Sequence, residues 1–295
     1  MRSGLLFGVG AYGMWGLFPA FFPLLKPAGA VEVLAHRIIW SFLLMVVVVA
    51  VVRRFGDLKV ISGRVWLLLT AAAALISVNW VIYVYAVNNG HVVDAALGYF
   101  INPLVSIALG LLIFRERLNA WQLVALVIAV SAVVVLTVNV GSPPVIGLGL
   151  ALSFGLYGAV KKLVPTDPRV SVGIEAAIAA PFALAYVGFL QVTGDGTFTG
   201  HGTGHVVLMI LAGVLTALPL LLFAAAAQRL AMVSLGLLFY MTPAMQLTWG
   251  VLVGHEPMPP ARWLGFGLIW LALGVFTVDA VRRARVGRRT EPSTV

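Results

Sequence analysis

Apolar stretches close to the length of a bilayer crossing recur ten times along this 295-residue chain, separated by short polar breaks. A membrane-spanning helix needs roughly 20 mostly apolar residues, and an irregular or open-edged backbone cannot satisfy its hydrogen bonds in lipid. The runs lie at 3–22, 31–52, 65–87, 92–114, 120–138, 145–162, 171–192, 206–227, 232–253 and 262–281. Only 193–205 and 282–295 are long enough to lie free of them. The spacing therefore predicts an all-α polytopic membrane protein of ten transmembrane helices, with a basic tail at 282–295 and no attached soluble domain. The first run is longer than the apolar core of a cleaved leader and holds Trp15 and Pro19, so it reads as a retained span.

Composition excludes the alternatives. The chain is 61% hydrophobic and 10% charged, against about 25% charged in soluble domains. With no cysteine there is no disulfide framework, thiolate metal site, iron–sulfur cluster or thiol nucleophile. His201 and His205 stand in a Gly/Thr-rich loop without further ligands, so no metal and no cofactor is expected.

The net charge of +9 comes from basic residues that flank the spans, which removes nucleic acid as a partner and gives the orientation. With the N-terminus inside, cytoplasmic segments hold 16 of the 19 Lys and Arg residues; Lys26 and Arg262 lie outside and Arg37 lies within a span. Both termini are thus expected in the cytoplasm of a cell that places this chain in its inner membrane. The basic flanks meet anionic lipid.

Self-comparison reveals a repeat. A shift of 140 pairs Pro103 with Pro243, Ala86 with Ala226, Leu104 with Ala244 and Glu116 with Glu256; a shift of 142 sets Ala11–Gly16 against Ser153–Gly158, and one of 143 sets Glu32 on Glu175. Five spans per repeat is an odd number, so the second repeat, 142–281, enters the membrane from the side opposite to the first, 1–141. Inverted repeats allow the two halves to exchange conformations and so alternate access to a site near the midplane.

The strings Glu32-Val33-Leu34-Ala35-His36-Arg37-Ile38-Ile39-Trp40-Ser41, Asn79-Trp80, Ala86-Val87-Asn88-Asn89-Gly90-His91 and Leu97-Gly98-Tyr99-Phe100-Ile101-Asn102-Pro103-Leu104 resemble the RarD branch of the EamA permeases in the drug/metabolite transporter superfamily. The resemblance continues through Arg115-Glu116-Arg117, Ser153-Phe154-Gly155, Lys162, Glu175 and Pro219-Leu220-Leu221, and so covers essentially the whole chain. Asp94 stands where the family pattern suggests Glu, and Lys161 where it suggests Arg; both keep the charge. The resemblance implies a ten-helix inner-membrane permease of two five-helix repeats.

Polar residues inside spans are costly and mark function or interhelical bonding. Arg37 lies about 9 Å below the external boundary at 1.5 Å per residue, where its guanidinium can fork onto a carboxylate or phosphate; an ion pair with Asp94 and snorkelling are the other readings. His36 lies one turn from Glu32, so the two can pass a proton, or His36 can be a hydrogen-bonded packing residue. Asn102 and Thr242 precede Pro103 and Pro243 near the midplane, where each proline frees a carbonyl or bends the helix. Tyr99 and Ser106 share the face of Asn102; Phe239 and Gln246 share that of Thr242. Asn79 and Tyr83 face the same depth, and Tyr12, Trp15 and Tyr157 supply aromatic walls. Glu175 can pair with Lys161 or Lys162, and Glu116 and Glu256 are expected to cap the helices that follow them.

The function this pattern favours is a secondary transporter moving a small metabolite or drug-like solute by alternating access, with proton coupling open. No GxxxxGK[ST] loop is present to use ATP. An intramembrane enzyme on a lipid-linked substrate would need a nucleophile and base at one depth, and a channel would need a selectivity filter; neither pattern is visible. The expected partners are a small-molecule substrate and the lipid bilayer, with a homodimer open as an assembly.

Overall fold

A computed structural model describes residues 2–88, 92–138, 145–253 and 260–289. All the regular structure described is helical: α1 (Arg2–Gly16), α2 (Phe18–Phe21), α3 (Ala30–Val51), α4 (Gly63–Asn88), α5 (Val92–Leu112), α6 (Ala120–Val138), α7 (Val145–Leu163), α8 (Pro168–Thr193), α9 (Gly202–Ala227), α10 (Met232–Phe239), α11 (Met241–Leu252) and α12 (Pro260–Arg289), with short 3₁₀ turns at Phe22–Leu25 and Phe55–Val60. Among the described residues six segments are long and apolar enough to cross a membrane: Ser3–Leu25, Ala30–Val51, Gly63–Ala86, Val145–Leu163, Pro168–Thr193 and Gly202–Ala227. Gly98–Leu112, Ala120–Val135 and Trp263–Asp279 form shorter apolar helices.

Two expected spans are interrupted. The first run breaks at Leu17 because Pro19 and Pro23 open new short helices, α2 and the following 3₁₀ turn, each with proline in its first turn, where a missing N–H is tolerated. The run at 232–253 divides at Tyr240 into α10 and α11; Pro243 cannot bond the carbonyl of Phe239, four residues back. Pro103, by contrast, stays inside a continuous α5. The helix at the chain's end runs on through the basic segment to Arg289.

The helices pack in a pattern that returns on itself. Of the largest contacts, α5 packs on α7 and α10, α6 on α12, α3 on α8 and α9, α4 on α7 and α8, and α1 on α9 and α11. Lipid is as apolar as leucine, so these contacts rest on close approach and on polar bonds between helices. Gly213 of α9 meets α3 so tightly that a Cβ there would lie 2.3 Å from Trp40 Cβ and 2.7 Å from its carbonyl carbon. At the same crossing Ser41 Oγ donates to the Gly213 carbonyl at 2.8 Å. Gly236 of α10 likewise meets the Pro103 carbonyl of α5. The core is rich in alanine and aromatic side chains, with Tyr12, Tyr157, Tyr240, Phe223 and Phe276 fully enclosed.

Candidate functional site

A cavity of about 570 Å³ enters the bundle beside the end of the first apolar segment, where Pro23 and Lys26 are exposed. Its lining includes seven sequence-predicted site residues: Arg37, Asn79, Tyr83, Tyr99, Asn102, Thr242 and Gln246. Several of them are fixed by bonds across helix crossings. Asn79 Nδ2 donates to the Leu150 carbonyl and to Ser153 Oγ, both at 2.9 Å, and Asn102 Nδ2 donates to the Ala151 carbonyl at 3.3 Å. Thr242 Oγ1 donates to the Tyr12 carbonyl at 2.9 Å and Gln246 Nε2 to the Trp15 carbonyl at 3.1 Å. These side chains hold α4 and α5 to α7, and α11 to α1, while they face the cavity. Cavity lining and interhelical bonding are thus combined in single residues.

Among the described residues Arg37 is held without being neutralised. Its Nε donates to Thr216 Oγ1 at 2.8 Å, and Thr216 donates its own proton to the Ala212 carbonyl at 2.7 Å. The guanidinium carbon lies 5.6, 5.3 and 5.6 Å from the ring centres of Phe18, Phe22 and Trp80, cation–π range for all three. Among the described residues Arg37 makes no salt bridge. The side chain of Asp94, the partner in the alternative ion-pair reading, lies outside the described residues. The lining holds two cations, Arg37 and Lys26, and among the described residues no carboxylate, histidine or serine.

Trp15, Phe154 and Phe239 line the inner end of the cavity. Beneath them Phe223 lies 5.3 Å from Phe154 and stacks on Tyr157 at 5.7 Å and 16°. Tyr99 stacks on Phe239 at 6.2 Å. Phe223 and Tyr157 thus stand behind the lining rings, outside the described lining of the cavity.

Below this layer, Tyr157 and Ser106 do not reach the cavity, contrary to expectation. The Tyr157 hydroxyl donates to Glu175 Oε2 at 3.0 Å. Glu175 accepts from Lys161 as well, and Lys161, wholly buried, also bonds Ser171. Tyr157 serves a buried ion pair that its aromatic character alone did not reveal. Ser106 Oγ lies 3.5 Å from Asn102 Oδ1, one helical turn further from the mouth. The expected Glu32–His36 relay is not hydrogen-bonded either. Glu32 accepts from the Thr197 backbone N–H at 2.6 Å and from its hydroxyl at 2.9 Å. Both ring nitrogens of His36 are buried without a hydrogen-bond partner among the described residues, and the ring stacks on Phe198 at 4.5 Å. The α8–α9 connection supplies both Thr197 and Phe198, a long-range contact that spacing within α3 cannot show.

Glu116 caps a helix, but not the one that follows it in sequence. Its carboxylate accepts from the N–H groups of Met232 and Val233 at 2.8 and 3.0 Å, the first two residues of α10, and lies 3.6 Å from Lys162 Nζ. The N-terminus of α6 is closed by a reciprocal pair instead, Asn119 Oδ1 with the Gln122 N–H at 2.8 Å and Gln122 Oε1 with the Asn119 N–H at 3.1 Å. This is a capping box. Glu256 lies outside the described residues.

Sequence reasoning missed Thr216, Trp80, Phe18 and Phe22. The first two were within reach of the repeat: at the shift of 140, Thr216 falls on Ile76 and Leu220 on Trp80, and all four line the cavity. Tyr99 with Phe239 and Asn102 with Thr242 are further such pairs.

The profile of the EamA-like transporter family matches residues 2–138. Protein RarD of Streptomyces exfoliatus is 50% identical, covering 97% of this chain and 92% of that one. An uncharacterised transporter of Bacillus subtilis, YojE, is 41% identical with 97% of each chain covered; Protein RarD of Escherichia coli is 37% identical over 96% of this chain and 97% of that one. A protein crystal structure, 17% identical, shares the fold with a TM-score of 0.73, covering 96% of this chain and 99% of the other. The helical bundle, its apolar segments and these relatives together place the chain in the EamA-like transporter family of the drug/metabolite transporter superfamily, among its RarD proteins, as a multi-pass membrane permease.

Proposed function

We propose that the protein is a secondary transporter of the inner membrane that moves a small organic anion through the Arg37 cavity by alternating access. In this reading ten spans form two inverted repeats, 1–141 and 142–281, with both termini cytoplasmic. The cavity mouth at Lys26 then faces outward and the aromatic layer closes the cytoplasmic half. Packing supports the repeat. When each expected span is exchanged with its counterpart five spans on, α3 on α8, α6 on α12 and α5 on α10 map onto themselves, and α1 on α9 exchanges with α4 on α7.

One observation carries the reading: a cavity lined by repeat-related residues presents an in-span arginine whose described neighbours leave its charge unbalanced. An aromatic-walled cavity of this size suits a small molecule, and a guanidinium fork suits carboxylate or phosphate. The test is a thermal-shift screen of detergent-purified protein against organic anions, amino acids, nucleosides and amphenicols. Stabilisation by anionic members, lost in Arg37→Ala, supports the reading; stabilisation only by neutral members, equal in Arg37→Ala, contradicts it.

A further inference from the structure

The geometry points to obligatory exchange: the empty carrier does not switch sides, because Arg37 crosses the occluded state only when an anion neutralises it. This inference rests on the transport reading above and adds its coupling rule.

Arg37 is placed by groups that orient a cation without cancelling it. Thr216 accepts one N–H, and three ring faces surround the guanidinium. Its two terminal nitrogens have no hydrogen-bond partner among the described residues. The other charged residue in the described lining, Lys26, is also a cation and stands exposed at the mouth. While the mouth is open, water hydrates the guanidinium. Occlusion expels that water, and a buried charge without a partner is strongly disfavoured, whereas a well-bonded pair largely offsets its own desolvation. A bound anion supplies the missing partner in both directions of travel. The return journey then needs an anion as much as the outward one, which defines exchange.

The experiment uses the cysteine-free character of the chain. Ala227 is fully buried on α9, one turn beyond Phe223 on the far side of the aromatic layer from the cavity. A cysteine there reports opening of the closed half. Ala227→Cys is built into the full chain, reconstituted in low-salt buffer free of carboxylates and phosphate and labelled with a small maleimide, in three backgrounds: native Arg37, Arg37→Lys and Arg37→Gln. Detergent chromatography first verifies that each is monodisperse. Arg37→Lys keeps the charge and Arg37→Gln removes it, so a charge effect separates from a packing effect.

The inference expects slow labelling with Arg37 and Arg37→Lys, and labelling faster by on the order of tenfold or more in Arg37→Gln, as loss of an uncompensated buried charge implies. Phenylglyoxylate, an aromatic carboxylate ionised at neutral pH, is the anion probe; faster labelling of the native background on its addition adds support. Equal labelling of native and Arg37→Gln chains without an anion overturns exchange and leaves transport standing. No labelling in any background, with or without the probe, overturns alternation itself, and exchange with it.

Discussion

The hydroxyl of Tyr240 donates to the carbonyl of Phe100 at 3.3 Å across 140 residues of sequence, and these two residues are each other's counterparts at the repeat shift of 140. In the proposed pair of inverted repeats, equivalent positions meet close to the axis that relates the two halves. In that reading the contact, at the α5–α10 crossing, lies where the two halves meet, close to where α10 gives way to α11. Asn102 and Thr242, two residues further along, show the same relation in their bonds: one reaches α7, the other α1.

Replacing Arg37 by Ala is expected to lower anion transport at least about tenfold without loss of folded protein, since the removed charge is one half of a charge-assisted bond. Initial uptake rates and chromatographic profiles are the paired measurements. Arg37→Lys should retain part of the activity, because the charge remains and the fork does not.

The buried Lys161–Glu175 pair predicts a non-additive stability pattern. Either Lys161→Met or Glu175→Leu leaves a partner uncompensated and should cost about 3 kcal/mol or more, while the two together should recover most of it. A double-mutant cycle of thermal stability in detergent reads this out. Additive losses would mean that the two groups do not act as a pair.

Gly213→Ala should abolish accumulation of folded protein. Its new methyl group would press on Trp40 backbone as well as side chain, so no rotamer change relieves it, and α3 and α9 must separate. Gly204→Ala on the same helix, with nothing within 4 Å of the added carbon, is the control and should express normally.

Asp167 closes the N-terminus of α8, accepting from the Arg169 N–H at 2.9 Å and from its guanidinium at 2.9 and 2.7 Å. The guanidinium hydrogen bonds hold its carboxyl below the ordinary value of about 4. A depressed carboxyl pKa means that the stabilisation is complete above the unfolded value and is lost as pH falls through the folded one. Asp167→Ala should therefore cost about 1 kcal/mol near neutral pH and progressively less below about pH 4. Unfolding midpoints of both proteins across that range test the convergence.

Much of this was legible in the chain. Apolar run length marks the helices, and the repeat shift relates residues that line one cavity, because both signals follow from local chemistry. What escaped depends on chain-distant contacts. Nothing near Glu116 says that its carboxylate will cap α10 rather than α6, and nothing near Glu32 announces Thr197. Tyr157 looks like a wall residue until Glu175 is seen behind it. The Arg37 cage escaped for the same reason: Phe18 and Phe22 reach it only because the first apolar segment breaks after Gly16.

The most direct measurement of the central claim works without the solute being identified beforehand. Proteoliposomes loaded with an unlabelled metabolite extract are diluted into the same extract uniformly labelled with ¹³C, and their contents are read by mass spectrometry. The account predicts that heavy forms of a few small organic anions enter vesicles carrying the native protein, and enter neither protein-free vesicles nor those carrying Arg37→Ala. Entry of no solute above the protein-free level would contradict it.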